Sequence, residues 1–415
     1  MLQSVTIENF KSFERATLPL APLTLLIGAN ASGKSNAIEA MQLLAWLASG
    51  RSPADLLYAV REQELSLRGG PKDLAWADGE ISLSCEAIDS HQETPRTFSV
   101  SLEITPEGLR ITGEPVPGIT YGAQTIQAAI HKQRKLLEKA PSAINTDTAI
   151  QALERQASQV AILANDPLAK ILRGILFLNA DPRSMRQYSY IQETGLKPDG
   201  SGLSSVLRRL TEEEGQKARI LEIIRSLPEQ NISDISYLEG PLGEVMVQLH
   251  ETFGQQNVPR AAALLSDGTL RVLAMAAALF SVPEGSVVVI EEIDNGVHPS
   301  RAEHLLAQIQ QVARERNLRV LLTAHNPALL DALPLEAIPD TVACYRDPEK
   351  GDSRLVRLED LESYPELIAQ GPLGRLLTRG ILDRYLKSPD LRDRAKKVDR
   401  DLAWIKEFRR QVRSS

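Results

Sequence analysis

The sequence predicts an α/β fold built on a parallel sheet, together with an antiparallel β region. Strand and helix patterns alternate over residues 269–323, an order typical of parallel strands joined by crossover helices. The apolar run Leu23–Ile27 is a further predicted strand, and it leads directly into Gly28 and a helical pattern. Two segments of alternating polarity, residues 81–87 and 97–104, predict antiparallel strands.

Local patterns predict the remaining elements. Residues 5–7 form a predicted strand, and a helical stripe that begins at Ser35 ends where Gly50 is followed by Pro53. Helical composition over roughly 124–178 and again over 203–227 predicts a small insertion lobe, whereas residues 232–249 have a β pattern. The C-terminal part is predicted to contain helices at 269–280, 300–315 and 327–333 and strands at 286–290, Arg319–Thr323 and 341–345.

The composition is that of an ordinary globular chain of 415 residues, with 43% hydrophobic and 24% charged residues. A net charge of -7 argues against a uniformly basic surface for nucleic acid but leaves local basic patches open, and 4% aromatic residues disfavour base-stacking platforms. Cys85 and Cys344 are too few for a disulfide framework and too isolated for a zinc site. Because no secretory leader pattern and no apolar run of about 20 residues is present, we expect a cytoplasmic protein without a membrane segment.

A glycine-rich loop between a predicted strand and a predicted helix carries the strongest functional signal. Residues 28–35, GANASGKS, match G-x-x-x-x-G-K-[ST] in the strand–loop–helix context that this motif requires. Such glycines let backbone N–H groups surround phosphate oxygens, and the helix N-terminus adds favourable partial charge. We expect Lys34 to reach the β- and γ-phosphates of ATP and Ser35 to bind Mg²⁺. The candidate nucleotide-binding residues of the loop are Gly28, Asn30, Ser32, Gly33, Lys34, Ser35 and Asn36.

A predicted buried strand places two adjacent carboxylates at its C-terminal end. Glu291 and Glu292 follow the apolar run directly, and Asp294 comes two residues later. Ligands of open α/β sheets bind at this edge of the strands. Glu291 suits Mg²⁺ coordination, directly or through water, and Glu292 suits polarisation of an attacking water. A solvated acidic turn is the alternative interpretation.

Two further turns accompany this strand. Ser266-Asp267-Gly268 opens a predicted helix and offers free N–H groups and a hydroxyl to an anion, although simple helix capping by Asp267 or Thr269 explains the pattern as well. His325 follows the next strand in the sequence Thr-Ala-His-Asn-Pro, where an imidazole can hydrogen-bond a γ-phosphate. A structural histidine is the alternative there.

In this order and spacing the four motifs resemble those of ABC-type ATPases of the SMC and RecF group, which includes standalone AAA-type ATPases related to RecF and to the ATPase half of OLD nucleases. Residues 7–13 resemble the N-terminal strand and turn near the nucleotide, residues 291–299 the Walker B segment and D-loop, and residues 323–330 the switch-histidine segment. The likeness covers roughly residues 1–385. It implies a P-loop NTPase head of the ABC type with a mixed parallel sheet. The sequence patterns add an antiparallel β subdomain, a helical insertion lobe and, outside the likeness, a C-terminal helical tail.

The resemblance also implies how the site works. Two chains would pair head to tail around two ATP molecules, so that Ser266 and Gly268 of one chain close over the γ-phosphate held by Lys34 of the other. Asp294 and Asn295 would transmit conformational changes across the interface between the two chains. Glu292, His325 and Lys34 are the implied catalytic residues, and Ser35 and Glu291 the implied Mg²⁺ ligands.

Three features depart from the family pattern. Ala31 stands where the family often has glycine, Glu291 replaces the commoner aspartate, and Ser266-Asp267-Gly268 lacks the double glycine of transporter ATPases. No residue is assigned to the Mg²⁺-sensing glutamine, for which Gln187 is one candidate among several. We therefore expect slow or partner-dependent hydrolysis.

The sequence divides into four predicted parts. Residues 1–120 and 231–383 form the two halves of the ATPase head, residues 121–230 the helical insertion lobe, and residues 384–415 a basic amphipathic tail with eleven Lys or Arg and five Asp or Glu. The tail either docks on its own core or joins subunits, a partner protein or a nucleic-acid backbone.

The predicted function is an ATPase that switches a complex acting on DNA, in repair or in defence against phage, with any cutting activity in a separate effector such as a nuclease or toxin. An ATP-binding scaffold with little turnover is the alternative. The Ser-Asp-Gly turn, the large insertion and the lack of a recognisable membrane-docking segment disfavour a transporter subunit.

Overall fold

A computed structural model of the chain describes residues 1–62, 65–88, 95–105, 108–112, 159–160, 166–225, 231–294, 297 and 299–387. Within these ranges no helix has both the length and the apolar character needed to cross a bilayer. Of the insertion lobe predicted over 121–230, residues 121–158, 161–165 and 226–230 lie outside the described residues, as does the predicted tail beyond Lys387.

The described strands form three sheets. In chain order they are β1 (Leu2–Phe10), β2 (Phe13–Pro19), β3 (Leu23–Ile27), β4 (Ile81–Ile88), β5 (Pro95–Thr105), β6 (Gly108–Thr112), β7 (Leu176–Leu178), β8 (Ser189–Tyr190), β9 (Ile232–Glu239), β10 (Glu244–Phe253), β11 (Gln256–Ala261), β12 (Val287–Ile290), β13 (Arg319–Thr323), β14 (Val342–Arg346) and β15 (Ser353–Arg357).

The described helices connect or cover these sheets. In chain order they are α1 (Lys34–Ala48), α2 (Leu56–Arg61), α3 (Pro167–Arg173), α4 (Pro182–Met185), α5 (Leu203–Arg208), α6 (Lys217–Ile224), α7 (Asp267–Ser281), α8 (Pro299–Glu315), α9 (Pro327–Asp331), α10 (Tyr364–Ala369), α11 (Leu373–Thr378) and α12 (Ile381–Lys387).

The central sheet has the order β15-β14-β3-β13-β12-β7, and all of its pairings except β14–β15 are parallel. An antiparallel sheet of order β2-β1-β4-β5-β6 forms the second β layer, and β8 to β11 form a third, also antiparallel sheet. Strands from both ends of the chain interleave in the central sheet, because β3 lies between β13 and β14. Sequence-distant segments therefore end side by side at its carboxyl edge.

The central strands divide their side chains between two hydrophobic cores. Leu25 and Val288 point into a core shared with α5 to α8, whereas Leu26 and Val289 point into a core shared with α1 and the first antiparallel sheet. Alternate side chains of a strand face opposite sides of a sheet, so a strand that is buried on both faces must be apolar throughout. This explains the unbroken apolar sequences of β3 and β12.

Most predicted elements are confirmed, including the antiparallel pair β4–β5 and the alternating strands and helices from α7 to β14. The helical prediction for residues 124–178 is wrong at Leu176–Leu178, which form β7 at the edge of the central sheet. The predicted helix over 203–227 is interrupted by a π-helical turn at Arg209–Glu213, before α6 begins. Three apolar residues are too few for their periodicity to distinguish strand from helix, and pairing with β12 decides between them.

Candidate nucleotide-binding site

The glycine-rich loop connects β3 to α1. Gly28 and Gly33 have φ angles of 149° and 118°, which side chains rarely adopt. A Cβ on Gly28 would overlap the Cys344 carbonyl, and one on Gly33 would overlap the Ser353 hydroxyl. Both glycines are therefore required by close approach of the surrounding chain. Ala31 has a φ of 62°, a conformation that costs an L-residue about 1–2 kcal/mol and that explains why related loops often have glycine there.

Lys34 lies over its own loop. Its ammonium group donates to the carbonyls of Gly28 at 2.5 Å and Ala29 at 3.2 Å, and the side chain is buried. Burial lowers the pKa of Lys34, and nearby Asp294 opposes this shift. The structure thus places the lysine close to the acidic segment that follows β12.

The polar residues of the loop point in different directions. Asn30 and Ser35 are exposed at its mouth, whereas Asn36 is half-buried and Ser32 is buried. The Ser32 hydroxyl has no hydrogen-bond partner among the residues that the structure describes. A buried, unpaired hydroxyl in a turn of this kind is a free polar group for a ligand.

Backbone hydrogen bonds fix the acidic segment against both neighbouring strands. The Glu291 amide donates to the Leu178 carbonyl at 2.9 Å, and the Glu292 amide donates to the Thr323 hydroxyl at 2.9 Å. Glu292 adopts a φ of 52°, an uncommon conformation for a residue with a side chain. Burial raises the pKa of Glu291, and the negative charges of Glu292 and Glu39 act in the same direction.

Asp294 links the acidic segment to the switch segment. One oxygen of its carboxylate accepts from the His325 amide at 3.0 Å and from the Asn326 amide at 2.8 Å. Its other oxygen is buried and has no partner within the described part of the chain. The His325 side chain is exposed at the end of the β13 segment. Asp294 therefore positions the backbone of the switch histidine within one chain, while Asn295, predicted to act with it, lies outside the described residues.

The signature turn, Ser266-Asp267-Gly268, opens α7. Ser266 is the N-cap of α7 and accepts from the Thr269 amide at 3.1 Å, so the helix cap weighed as the alternative is present, formed by Ser266 and not by Asp267 or Thr269. Arg186 holds the turn through the Leu265 carbonyl at 2.9 Å and the Asp267 carboxylate at 2.6 Å. Ser266 is exposed and Gly268 half-buried.

Asn179 and Arg271 belong to segments that resemble the family, residues 178–188 and 265–271, but they were not predicted as site residues. Asn179 and Arg271 line a cleft with Glu291 and Glu292, at the carboxyl ends of β7 and β12. Gln187, the candidate sensor, lies after α4, and its amide contacts the Arg183 carbonyl at 3.5 Å. Asn179 directly follows β7, the strand paired with β12.

A buried carboxylate in α1 holds two cations beside the loop. Glu39 pairs with Lys11 and with Arg68, whose Nε lies 2.6 Å from the carboxylate. Arg68 also donates to the Asn36 side chain at 3.2 Å. The turn after β1 is thereby tied to the first turns of α1.

The phosphate loop, the acidic segment and the switch segment, which lie on neighbouring parallel strands, define a P-loop ATPase of the ABC type. A family model described as "AAA domain, putative AbiEii toxin, Type IV TA system" matches residues 23–331. The chain belongs to this family.

Curated relatives include three proteins named DNA replication and repair protein RecF. The one from Gloeobacter violaceus is 46% identical over 69 residues, or 16% of either chain, and the one from Caulobacter sp. is 34% identical over 122 residues, or 28% of this chain and 29% of the relative. The one from Staphylococcus carnosus is 23% identical over 354 residues, or 74% of this chain and 90% of the relative. The first two matches thus span less than a third of those relatives.

Solved structures that align with the chain include SMC heads. One is an Smc head bound to the C-winged helix domain of ScpA, with a TM-score of 0.48 and 15% identity, covering 86% of this chain and 96% of that chain. Another is an Smc head with an extended coiled coil from Pyrococcus furiosus, bound to the C-terminal domain of ScpA, with a TM-score of 0.46 and 12% identity, covering 89% and 99%.

Proposed function

We propose that this protein binds ATP with Mg²⁺, dimerises around it and hydrolyses it to switch a complex that acts on DNA. The observation that carries the proposal is the convergence of the phosphate loop, the acidic segment and the switch segment at the carboxyl ends of β3, β12 and β13. The central sheet creates this convergence by inserting β13 between β3 and β12.

The residues present fit a magnesium–triphosphate group. The Ser32 hydroxyl and one Asp294 oxygen are buried without partners among the described residues, and the crowded glycines keep the loop backbone tightly wrapped. Ser35 and Glu291 would hold Mg²⁺, which commonly binds proteins through one or two carboxylates plus substrate phosphates. Bound Mg²⁺ would supply charge neutralisation for the phosphates.

The roles of the side chains follow from their placement. Lys34 can exchange its two carbonyl partners for phosphate oxygens, Glu292 can polarise a water, and the exposed His325 can donate to a phosphate. Asp294 carries a change at the switch segment to the acidic segment through two short hydrogen bonds. Catalysis would rest on positioning and charge stabilisation.

The signature turn would act on a second chain. Among the described contacts, the Ser266 hydroxyl bonds only to Thr269 of its own turn, and the turn is exposed at the start of α7. Ser266 and Gly268 would close over the triphosphate held by the partner chain, so that ATP joins the two subunits and hydrolysis separates them.

The RecF names support a role on DNA, in repair or in defence against phage. A separate effector subunit, such as a nuclease or a toxin, would carry out any chemistry on the nucleic acid. An ATP-binding scaffold with little turnover is the second candidate, favoured by Glu291 in place of aspartate and by the raised pKa of its half-buried carboxyl.

ATP turnover and oligomeric state of three variants test the proposal. Lys34→Ala should abolish ATP binding, since no other described residue places an ammonium over the loop. Glu292→Gln should bind ATP, lose about 100-fold or more in turnover and accumulate as a dimer, because the group that polarises water is gone. The matched control is Glu336→Gln. Glu336 is an exposed glutamate that pairs with Arg314, and both residues are far from the phosphate loop in sequence.

The outcomes separate the candidates. Unchanged ATP affinity in Lys34→Ala would overturn the site assignment. Equal turnover and equal dimer content in Glu292→Gln and the parent, both with ATP bound, would instead favour the scaffold.

A further inference from the structure

A chain of four polar groups runs beneath the phosphate loop, from α1 through the turn after β1 to the start of β15. Asn36 Nδ2 lies 2.8 Å from Ser12 Oγ, and Ser12 Oγ lies 2.8 Å from Ser353 Oγ. Ser353 Oγ lies 2.6 Å from the carbonyl oxygen of Ser32, inside the phosphate loop. Ser12 and Ser353 are buried, at 4% and 0% exposure, so solvent does not compete for these bonds.

The direction of this chain follows from proton counting. The Ser32 carbonyl can only accept, and a serine hydroxyl has a single proton to donate. The Ser353 hydroxyl is placed to donate to both Ser12 Oγ and the Ser32 carbonyl, but it has one proton, which the shorter contact to the carbonyl takes. Ser12, which accepts from the Asn36 amide, then supplies the proton between the two serines. Each bond polarises the next, because every hydroxyl in the series both accepts and donates.

The hydrogen bond to the Ser32 carbonyl fixes the orientation of the peptide unit between Ser32 and Gly33. That peptide is planar and trans, so its N–H points opposite to its C=O. Ser353 and the Cys344 thiol, at 3.3 Å, together draw the Ser32 carbonyl towards the protein interior. The Gly33 amide is consequently directed away from the interior, and the close approach of Ser353 leaves no space for a side chain on Gly33.

We propose that Ser12 and Ser353 are positioning residues, which fix the Gly33 amide for binding a phosphate of the nucleotide. The proposal rests on the ATP site proposed above and assigns part of its affinity to β15, more than 300 residues from the loop. The backbone reinforces the arrangement, since the Ser353 amide donates to the Ser12 carbonyl at 2.6 Å.

A double-mutant cycle tests the proposal. Affinity for MgATP is measured by calorimetry for Ser353→Ala, Ser12→Ala and the double variant, and affinity for inorganic tripolyphosphate is measured by competition. Thermal unfolding without ligand is recorded in parallel. Ser205→Ala is the matched control, because Ser205 is also buried and its hydroxyl donates to the Gly202 carbonyl at 2.9 Å outside the site.

We expect Ser353→Ala to weaken ATP and tripolyphosphate binding by the same factor, about tenfold, the scale of one lost hydrogen bond. Ser12→Ala should weaken both about threefold, because it removes only the polarising bond. The double variant should match Ser353→Ala within about twofold, since the groups act in series. Ser205→Ala should retain the parent's affinity.

Three results would overturn the inference while leaving the ATP site intact: parent-like binding by Ser353→Ala, multiplication of the two single losses, or an equal loss in Ser205→Ala. If Ser353→Ala does not fold, Ser12→Ala decides, and parent-like affinity in that variant overturns the inference. Failure of the parent chain to bind ATP would instead reject the proposed function.

Discussion

At the scale of single residues, the site holds a carboxylate at an energetic cost. Glu291 is partly buried beside Glu292 and near Glu39, with Arg68 as a weaker opposing charge, and burial is the main reason why its pKa is raised. Burial removes water from the carboxylate, so its charged form at neutral pH destabilises the folded state unless a cation is bound nearby. The Mg²⁺ ligand role that we propose for Glu291 and the predicted instability of the Mg²⁺-free protein would therefore have one cause.

Replacing Glu291 by glutamine should stabilise the Mg²⁺-free protein. Because the pKa is higher in the folded chain than its ordinary value of 4.5, the folded state binds the extra proton, and its stability falls as pH rises from 4.5 through the folded pKa. In EDTA, Glu291→Gln should therefore unfold at a higher temperature than the parent at pH 7, and the gain should vanish below pH 4.5.

Thermal unfolding between pH 4 and 8 measures this effect. Glu303→Gln, on the exposed face of α8, is the control and should leave the curve unchanged. A Glu291→Gln variant that unfolds below the parent at pH 7 would contradict the prediction. ATP binding in Mg²⁺ should weaken in the same variant.

Sequence reasoning found the residues of this site that belong to compact motifs. Gly28 to Ser35 and Glu291 to Asp294 are each contiguous, so their spacing alone indicates their chemistry. Ser353 is 321 positions from Ser32, and no periodicity connects a single serine to a loop so distant in sequence. Only the folded chain shows that β15 supports the loop.

At the scale of elements, two short helices hold the switch segment. Asn326 caps α9 by accepting from the Ala328 amide at 2.9 Å, directly after His325. The Gly374 amide in α11 donates to Asp331 at the end of α9 at 2.6 Å, and a Cβ on Gly374 would overlap the Pro327 carbonyl. The close packing of α11 on α9 therefore depends on a residue without a side chain.

Gly374→Ala should lower the free energy of unfolding by about 1–3 kcal/mol, the usual cost of forcing an extra methyl group into a packed contact. Denaturant unfolding measures the loss. Gly195→Ala is the control, because a Cβ there meets no atom within 4 Å. Equal stability of the two variants would show that α11 can move away from α9 without cost.

The elements that were predicted well are those with long or fully apolar patterns, such as β3, α7 and β12. β7 was missed because three apolar residues after a helix resemble its continuation, and its strand form depends on hydrogen bonds to β12. The local sequence pattern determines whether a segment forms a helix or a strand when the segment is long enough to bury one face. For short segments, pairing with neighbouring strands determines the structure.

At the scale of the whole molecule, the two ends of the sequence build one sheet. β3 pairs with β13 and β14, so the phosphate loop cannot be placed before the C-terminal strands are present. α12 belongs to the same packed unit as the central sheet, since Tyr385 and Leu386 pack against the core that the central strands share. The predicted tail boundary at residue 384 falls inside α12.

Removing residues 388–415 should separate nucleotide binding from assembly. These residues carry nine Lys or Arg and five Asp or Glu, and they lie outside the described part of the chain. A chain ending at Lys387 should bind ATP and unfold like the parent, yet lose higher assembly, partner binding or DNA binding. Any DNA binding of the full chain should weaken steeply with salt, because contacts to phosphates release counterions.

A second truncation distinguishes the tail from the core. A chain ending at Asp383 also lacks Tyr385 and Leu386, so its unfolding temperature should fall, as the loss of two core-packing side chains requires. Gel filtration with ATP and DNA-binding titrations at two salt concentrations compare the three chains. If the full chain and the chain ending at Lys387 show identical assembly, partner binding and DNA binding, the tail has no role in these interactions. An interaction that does not depend on salt would indicate a protein partner instead of a phosphate backbone.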